Sequence, residues 1–452
     1  MSTSDGRHAA APGTDTGTPG TDTGAPGTHA GPHTGPHTGA NPGTPGDGHA
    51  TGARTPEEHL AAVTEAVRGA VPGLHDAADG GVPVELAVGR TLVDAVEARV
   101  DSPPFDNSQM DGYALGAHHL DGGTFPVGRT LPAGRDPATV CPAGVGAEVV
   151  PVMTGARLPD GTAAVVPVED CTPASFVPAG GAVTVPPTAR GRYIRRRGSD
   201  LRAGDVLFPA GHRVSPRTVG AAAAQGLDTV PVRRTARVLL CTGGDEIGGE
   251  GRASVPDANG PMLRALCRRH LIDVAGHVRT SDDPEEFARA LDGAVREYRP
   301  TAVVTSGGIS HGQFEVVRQV LEPRGGWFGH VAQQPGGPQG LAVVDGTPVI
   351  ALPGNPVSTA VSFRLFVAPV LGEVPATVTA RAGEPLAALP AGDGRCRFLR
   401  ARTEVRDGVL TVTTVGGAGS HLLAQSAGAD CLVRVRAGED VAPGEVVEVH
   451  PL

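Results

Sequence analysis

Residues 301–315 read TAVVTSGGISHGQFE. A β-branched apolar run stops at a glycine pair, passes two hydroxyls and a histidine, and ends on a carboxylate that opens the helical pattern FEVVRQVLEPRG (314–325). The unit recurs on both sides. ARVLLCTGGDEI (236–247) is a strand running into a Gly turn, NGPMLRALCRRHLIDVAGHV (259–278) an amphipathic helix leading into a strand, and DPEEFARALDGAVREY (283–298) a second helix. TPVIALPGNPVSTAVSFRLFVAPVL (347–371) closes the series. Short strands alternating with helices of this length predict a parallel sheet covered on both faces, an α/β domain spanning 235–373. In such sheets ligands bind beyond the carboxyl ends of the strands. Three Gly turns fall there: CTGGDEI (241–247), TSGGISHG (305–312) and ALPGNPVS (351–358).

One Gly-rich turn is weak evidence for a ligand, because tight strand-to-helix connections need Gly anyway. Three on one sheet edge, with Asp245, Glu246 and Glu315 beside them, favour a site for phosphate and a metal ion. The turns match neither a Walker A loop, which requires a Lys, nor a dinucleotide fingerprint. Magnesium takes oxygen ligands and shares them with substrate phosphates. Glu246 and Asp257 are the expected ligands; for Asp257 the plainer reading is a helix cap.

Working outward, TPEEHLAAVTEAVRGAV (55–71) reads as a helix with Thr55 at its N-cap and Pro56 at the first helical position. PVELAVGRTLVDAVEARV (83–100) predicts a short strand and then a helical segment. Val-rich runs broken by Gly, Pro and Asp predict a compact β-module over 104–186. It interrupts a mixed N-terminal domain formed by 55–103 and 187–234. After residue 373 the helices cease, and 374–452 alternates like a small β-barrel or sandwich. The fold class is therefore α/β plus β.

Residues 1–54 repeat Pro, Gly, Thr and Asp with almost no large apolar side chain, so they read as a disordered tail. The histidines of GPHTGPHTG (31–39) are too few to fix a metal geometry. Aromatics make up 3% of the 452 residues, so the cores must be built from Val, Ala and Leu. A net charge of −10 argues against a nucleic-acid or anionic-membrane surface. All 38 basic residues are Arg, so any anion must be held by Arg, neutral donors or backbone N–H groups. Six scattered cysteines form no C-x-x-C pair, and no apolar run reaches the length of a signal peptide core or a membrane span. The expected setting is the cytoplasm.

PPFDNSQMDGYAL (103–115), VMTGARLPDGTAAVVPVED (152–170), IRRRGSDLRAGDVLFPAG (194–211), TGGDEI (242–247), TSGGISHG (305–312), LPGNPVSTAVSF (352–363) and GGAGSHLLAQSAGADC (416–431) together resemble the molybdopterin molybdenumtransferase family, to which the C-terminal domain of gephyrin is related. The resemblance runs from about residue 55 to the end. It implies a four-part subunit with an elongated N-terminal domain, an inserted β-module, a molybdopterin-binding domain and a C-terminal β-barrel-like domain. A homodimer is implied, with a cleft shared between subunits. The implied reaction converts adenylylated molybdopterin and molybdate to molybdenum cofactor and AMP with Mg²⁺, the substrate coming from a molybdopterin adenylyltransferase. Carried over by motif, Asp111, Asp200, Glu246 and Asp257 are the catalytic carboxylates, the last two near the metal. Thr154, Ser306, Gly307, Gly308, Ser310, Gly312, Glu315, Pro353, Gly354 and Asn355 would hold the pterin substrate. Pro338, Ser358, Arg395 and Ser420 would form the molybdate pocket.

The chain departs from the family where Lys-Pro-Gly-Lys-Pro is usual: here QQPGGPQG (333–340) puts Gln334 and Gly337 at the lysine positions. A charge-assisted hydrogen bond is worth roughly 1.5–3 kcal/mol, so the loss of two matters unless another cation replaces them. Arg318 and Arg324 are the guanidiniums close by in sequence. Gly243, Ser199, His311 and Glu315 are milder departures. The alternative function is a catalytically weakened molybdopterin-binding paralogue that serves as a carrier or complex partner.

Overall fold

The computed structural model describes residues 53–244, 247, 255–310, 315–390 and 392–452. The proposed tail up to residue 52, Glu246 and Gly312 lie outside the described residues. Helix α1 (Pro56–Ala70) starts as expected: Thr55 Oγ1 accepts from the Glu58 N–H at 3.1 Å, while Glu58 Oε2 accepts from the Thr55 N–H at 2.8 Å. Arg54, assigned above to the tail, belongs to the fold. Its N–H donates to His330 O at 3.0 Å and its guanidinium stacks 3.6 Å from the Trp327 ring centroid.

The predicted helix within 83–100 is absent. Val84–Ala87 forms a 3₁₀ turn, Gly89 takes a φ of +86°, and Val96–Glu97 pairs with Val206–Phe208. Val82–Pro83 pairs with Thr229–Val230. These ladder bonds to distant chain outweigh a helical propensity that only short-range order supports. The segment 104–186 contributes a three-stranded sheet, in which Gly112–Leu115 lies between Val150–Val152 and Ala164–Pro167, and a separate pair formed by Gly123–Pro126 and Ala182–Val185.

The central domain contains strands β1 (Arg237–Gly243), β2 (Asp273–Thr280), β3 (Ala302–Ser306), β4 (Trp327–His330), β5 (Pro338–Val344) and β6 (Thr347–Leu352), in the sheet order β2-β1-β3-β6-β5-β4. The first four of that order are parallel; β5 adds antiparallel to β6, and β4 antiparallel to β5. The sheet is thus mixed, not wholly parallel. The cause is the Asp345-Gly346 turn, with φ of +46° and +76°, which makes β5 and β6 a hairpin. Its signal, VVDGTPV, was present in the sequence.

Helix α2 (Asn259–Arg269) and α1 cover one face, where Val63, Val67, Leu263 and Cys267 pack on Val238, Leu240, Val304 and Ile350. Helices α3 (Pro284–Tyr298) and α4 (Val316–Leu321) cover the other, with Phe287, Leu291 and Val317 on Leu239, Cys241, Val303 and Val349. Successive strand residues therefore serve opposite cores, as the pleat demands. Burying each large side chain contributes roughly 1.5–3 kcal/mol. Helix α5 (Pro356–Ser362) follows β6 and runs into a π-helical turn at Phe363–Val367.

In the C-terminal domain β7 (Val378–Ala382), β8 (Cys396–Arg406), β9 (Val409–Thr414), β10 (Cys431–Val435) and β11 (Val446–Pro451) run in the order β8-β9-β7-β11-β10, and pairing of β8 with β10 closes a five-stranded barrel. Gln333–Gln334, just before β5, adds to β8 and so ties the barrel to the central domain. Among the described residues no helix is long and apolar enough to cross a membrane, and the six cysteines are free.

Candidate functional site

Thr242, Ser306 and Leu352 are in register at the carboxyl ends of β1, β3 and β6. The three Gly turns therefore leave the sheet at one edge and line a single cleft of about 970 Å³. Ser306, Gly307, Gly308, Ser310 and Glu315 come from the second turn, and Pro353, Gly354 and Asn355 from the third. Pro338, Ser358 and Ser420 join them, the last from the barrel domain.

Glycine is required where the turns meet. Gly308 has a φ of +69°, and a Cβ there would stand 2.9 Å from Val317 Cγ2 and 3.1 Å from the Val317 nitrogen. A Cβ on Gly354 would lie 3.2 Å from Gly307 Cα, so the second and third turns touch backbone to backbone. Asn259, at the start of α2, clamps them: its Nδ2 donates to Ser306 Oγ at 2.9 Å and to Gly354 O at 2.7 Å. Sequence reasoning missed Asn259; its only signal was its place two residues after Asp257.

Asp257 is both a helix cap and a cleft carboxylate. Its Oδ1 accepts from the Gly260 N–H at 2.9 Å, and its Oδ2 accepts from Thr242 Oγ1 at 3.1 Å. A Cβ on Gly260 would come within 2.4 Å of that Oδ2, so Gly260 makes room for the carboxylate. Asp282 and Glu315 also line the cleft. Asp111, Thr154 and Asp200 do not line it. Asp111 Oδ1 instead accepts from the Thr154 N–H at 2.6 Å and from Thr154 Oγ1 at 2.8 Å, which holds its pKa below the usual carboxylate value. Asp200 accepts from Ser102 Oγ at 3.0 Å.

No Arg is among the described residues lining the main cleft. Arg318, a candidate replacement cation, pairs with Glu322 through two contacts of 2.9 Å, and Arg324, the other, pairs with Asp292 at 2.7 Å; neither is among the described residues lining the cleft. Arg395 does not line the cleft either: it forms a two-point pair with Asp393 at 2.5 and 2.7 Å. Two further guanidiniums line an adjoining pocket of about 180 Å³, which shares Gln334, Pro335 and Ala418 with the cleft: Arg397, whose Nη1 donates to Ala387 O at 2.6 Å, and Arg400. Arg397 is the strand partner of Gln334. Arg400 is 6% exposed, its Nε is buried with no hydrogen-bond partner, and burial lowers its pKa from the ordinary arginine value. The sequence carried a signal for it: Cys396, Phe398 and Arg400 alternate onto the buried face of β8, where a charge stands out.

Residues 54–226 match the MoeA N-terminal region (domains I and II), 239–373 a probable molybdopterin binding domain, and 371–452 the MoeA C-terminal region (domain IV). The chain is 36% identical over 423 residues to a Mycobacterium tuberculosis H37Rv protein named molybdopterin molybdenumtransferase 2, covering 88% of this chain and 97% of that one. With molybdopterin molybdenumtransferase 1 of the same organism it shares 33% identity over 413 residues, 81% of this chain and 93% of that protein. The crystal structure of a molybdopterin biosynthesis moeA protein from Pyrococcus horikoshii OT3 superposes with a TM-score of 0.69 at 23% identity, covering 89% of this chain and all of that one, a likeness of fold.

Proposed function

The chain belongs to the molybdopterin molybdenumtransferase family, and on that premise we propose how its cleft divides the work of inserting molybdate into adenylylated molybdopterin. The enzyme acts in molybdenum cofactor biosynthesis. The observation that carries the reading is the convergence of three Gly turns and the barrel loop at Ser420 on one cleft.

The backbone of Gly307 and Gly308 cradles the terminal phosphate of the pterin substrate, with Ser306 and Asn259 holding the turn in shape. Such a cradle needs no lysine. Gly308→Ala is expected to weaken molybdopterin binding tenfold or more, since a left-handed alanine costs about 1–2 kcal/mol before its contact with Val317 is relieved. Fluorescence titration with molybdopterin checks this, with circular dichroism as the control for folding.

Among the described residues no three acidic, His or Cys groups cluster into a dedicated metal cage. An all-oxygen donor set of one or two carboxylates completed by phosphate suits Mg²⁺. Asp257 would hold the ion together with Glu246, and when bound it would neutralise charge on the phosphoanhydride oxygens. Arg400 takes the oxyanion: its buried guanidinium is the donor that a tetrahedral molybdate requires, with Ser358, Ser420 and Pro338 on the cleft side. Asp111, Thr154 and Asp200 act on substrate in a homodimer, presented to the cleft by a second copy. The adenylylated substrate is handed over by an adenylyltransferase, in the cytoplasm.

Incubating the purified protein with adenylylated molybdopterin, Mg²⁺ and molybdate tests the proposal. Stoichiometric AMP release with formation of active molybdenum cofactor is expected. Tight pterin binding without AMP release at micromolar molybdate would instead favour the carrier alternative.

A further inference from the structure

The environment of Asp257 contains more than a helix cap. Thr242 Oγ1, which donates to Asp257 Oδ2, stands 2.7 Å from His277 Nε2 on the neighbouring strand β2. On the far side of the ring, His277 Nδ1 lies 2.9 Å from Arg264 Nη1 on α2. Thr242 is 1% exposed, whereas His277 and Arg264 are at the surface. A line of hydrogen bonds therefore runs from solvent at the edge of the sheet to a cleft carboxylate.

Its direction follows from the donors available. A guanidinium has no acceptor, so His277 Nδ1 must accept from Arg264. That leaves the neutral ring with its hydrogen on Nε2, from which it donates to Thr242 Oγ1. The hydroxyl, with its lone pair engaged, then points its own hydrogen at Asp257 Oδ2. Burial first, and then the Arg264 charge, lower the His277 pKa and favour this neutral form.

We propose that His277 is a positioning residue for the molybdenumtransferase reaction: with its tautomer set by Arg264, it orients the Thr242 hydroxyl so that Asp257 is held in one rotamer facing the cleft. The Gly260 N–H holds the other carboxylate oxygen, so both oxygens are fixed from behind and their remaining lone pairs face the substrate. A carboxylate left to swing would lose alignment with the scissile phosphoanhydride, and misplacement by about 1 Å can cost about a hundredfold in rate.

The inference rests on the reading of Asp257 as a reactive carboxylate, and the test separates the two. His277→Leu and Thr242→Val should lower kcat for AMP release about tenfold or more, the range seen when supporting hydrogen bonds behind an active group are removed, with KM for adenylylated molybdopterin changed less than about threefold. His277→Gln preserves an acceptor towards Arg264 and a donor towards Thr242, and Thr242→Ser preserves the hydroxyl; both should retain most of the wild-type rate. A purely structural role would not discriminate Gln from Leu at an exposed strand position. Independently of activity, ¹⁵N-histidine NMR should show His277 protonated at Nε2 and bare at Nδ1, with that preference lost in Arg264→Met. A ring protonated at Nδ1, or wild-type kcat in His277→Leu while Asp257→Asn is crippled, overturns the relay alone. Wild-type kcat in Asp257→Asn overturns the reading of Asp257 and the relay with it.

Discussion

Arg400→Ala is expected to lower kcat/KM for molybdate by at least about a hundredfold while leaving the free protein as stable as before or more so. Arg400 is buried beside the cleft with no carboxylate partner and an unpartnered Nε. Keeping a lone cation out of water is costly, and removing it relieves that cost. On the proposed reading, the bound oxyanion offsets what the fold loses by retaining Arg400. Two charge-assisted hydrogen bonds of about 1.5–3 kcal/mol each set the size of the effect. Molybdate titrations of the initial rate, with thermal unfolding in the absence of ligand, measure both halves. Arg400→Lys should fall between, since an ammonium keeps the charge but loses the planar fork. A variant with unaltered molybdate dependence would move the oxyanion elsewhere, with Arg397 the next donor to test.

The second large effect concerns stability. His59 on α1 is fully buried between Trp327 and Phe366, at ring-centroid distances of 5.3 and 4.7 Å, and neither ring nitrogen has a hydrogen-bond partner. Burial, assisted by the Arg54 charge, pushes its pKa from 6.5 down to about 3. The folded state thus holds the ring neutral over a range in which the unfolded chain protonates it. Stability is full above about pH 6.5 and is lost as pH falls towards 3, at about 1.4 kcal/mol per unit, roughly 5 kcal/mol in all. Urea unfolding followed by the fluorescence of Trp327, the sole tryptophan, should show wild type losing about 2 kcal/mol more than His59→Leu between pH 7.5 and 5. Equal losses in the two proteins would place the acid sensitivity in another group.

The strand-turn-helix rhythm of 236–371 was legible because period and punctuation are local: apolar runs, Gly turns and helix caps each declare themselves within a dozen residues. The N-cap at Thr55 and the three turns at the sheet edge were read on the same basis. The segment 83–100 was misread for the opposite reason, since its partners lie more than a hundred residues away at 206–208 and 229–232. The antiparallel β5–β6 hairpin was announced by Asp345-Gly346, but the helical context on either side masked it.

Within the site, the sequence alone determined which residue types stand at the carboxyl ends of the strands: glycines, hydroxyls and carboxylates, with no lysine anywhere. Motif order and spacing were enough to identify the family. Tertiary structure alone decided which charges are available. Arg395 pairs with a carboxylate two residues away, Arg318 and Arg324 pair with partners on helices, and the Nε of Arg400 is left without a partner in a pocket that shares residues with the cleft. Asp257 gained its support from Thr242, His277 and Arg264 in the same way. Whether a guanidinium is free or an oxygen is fixed depends on what the fold brings within about 3 Å, and that distance is not written in the order of residues along the chain.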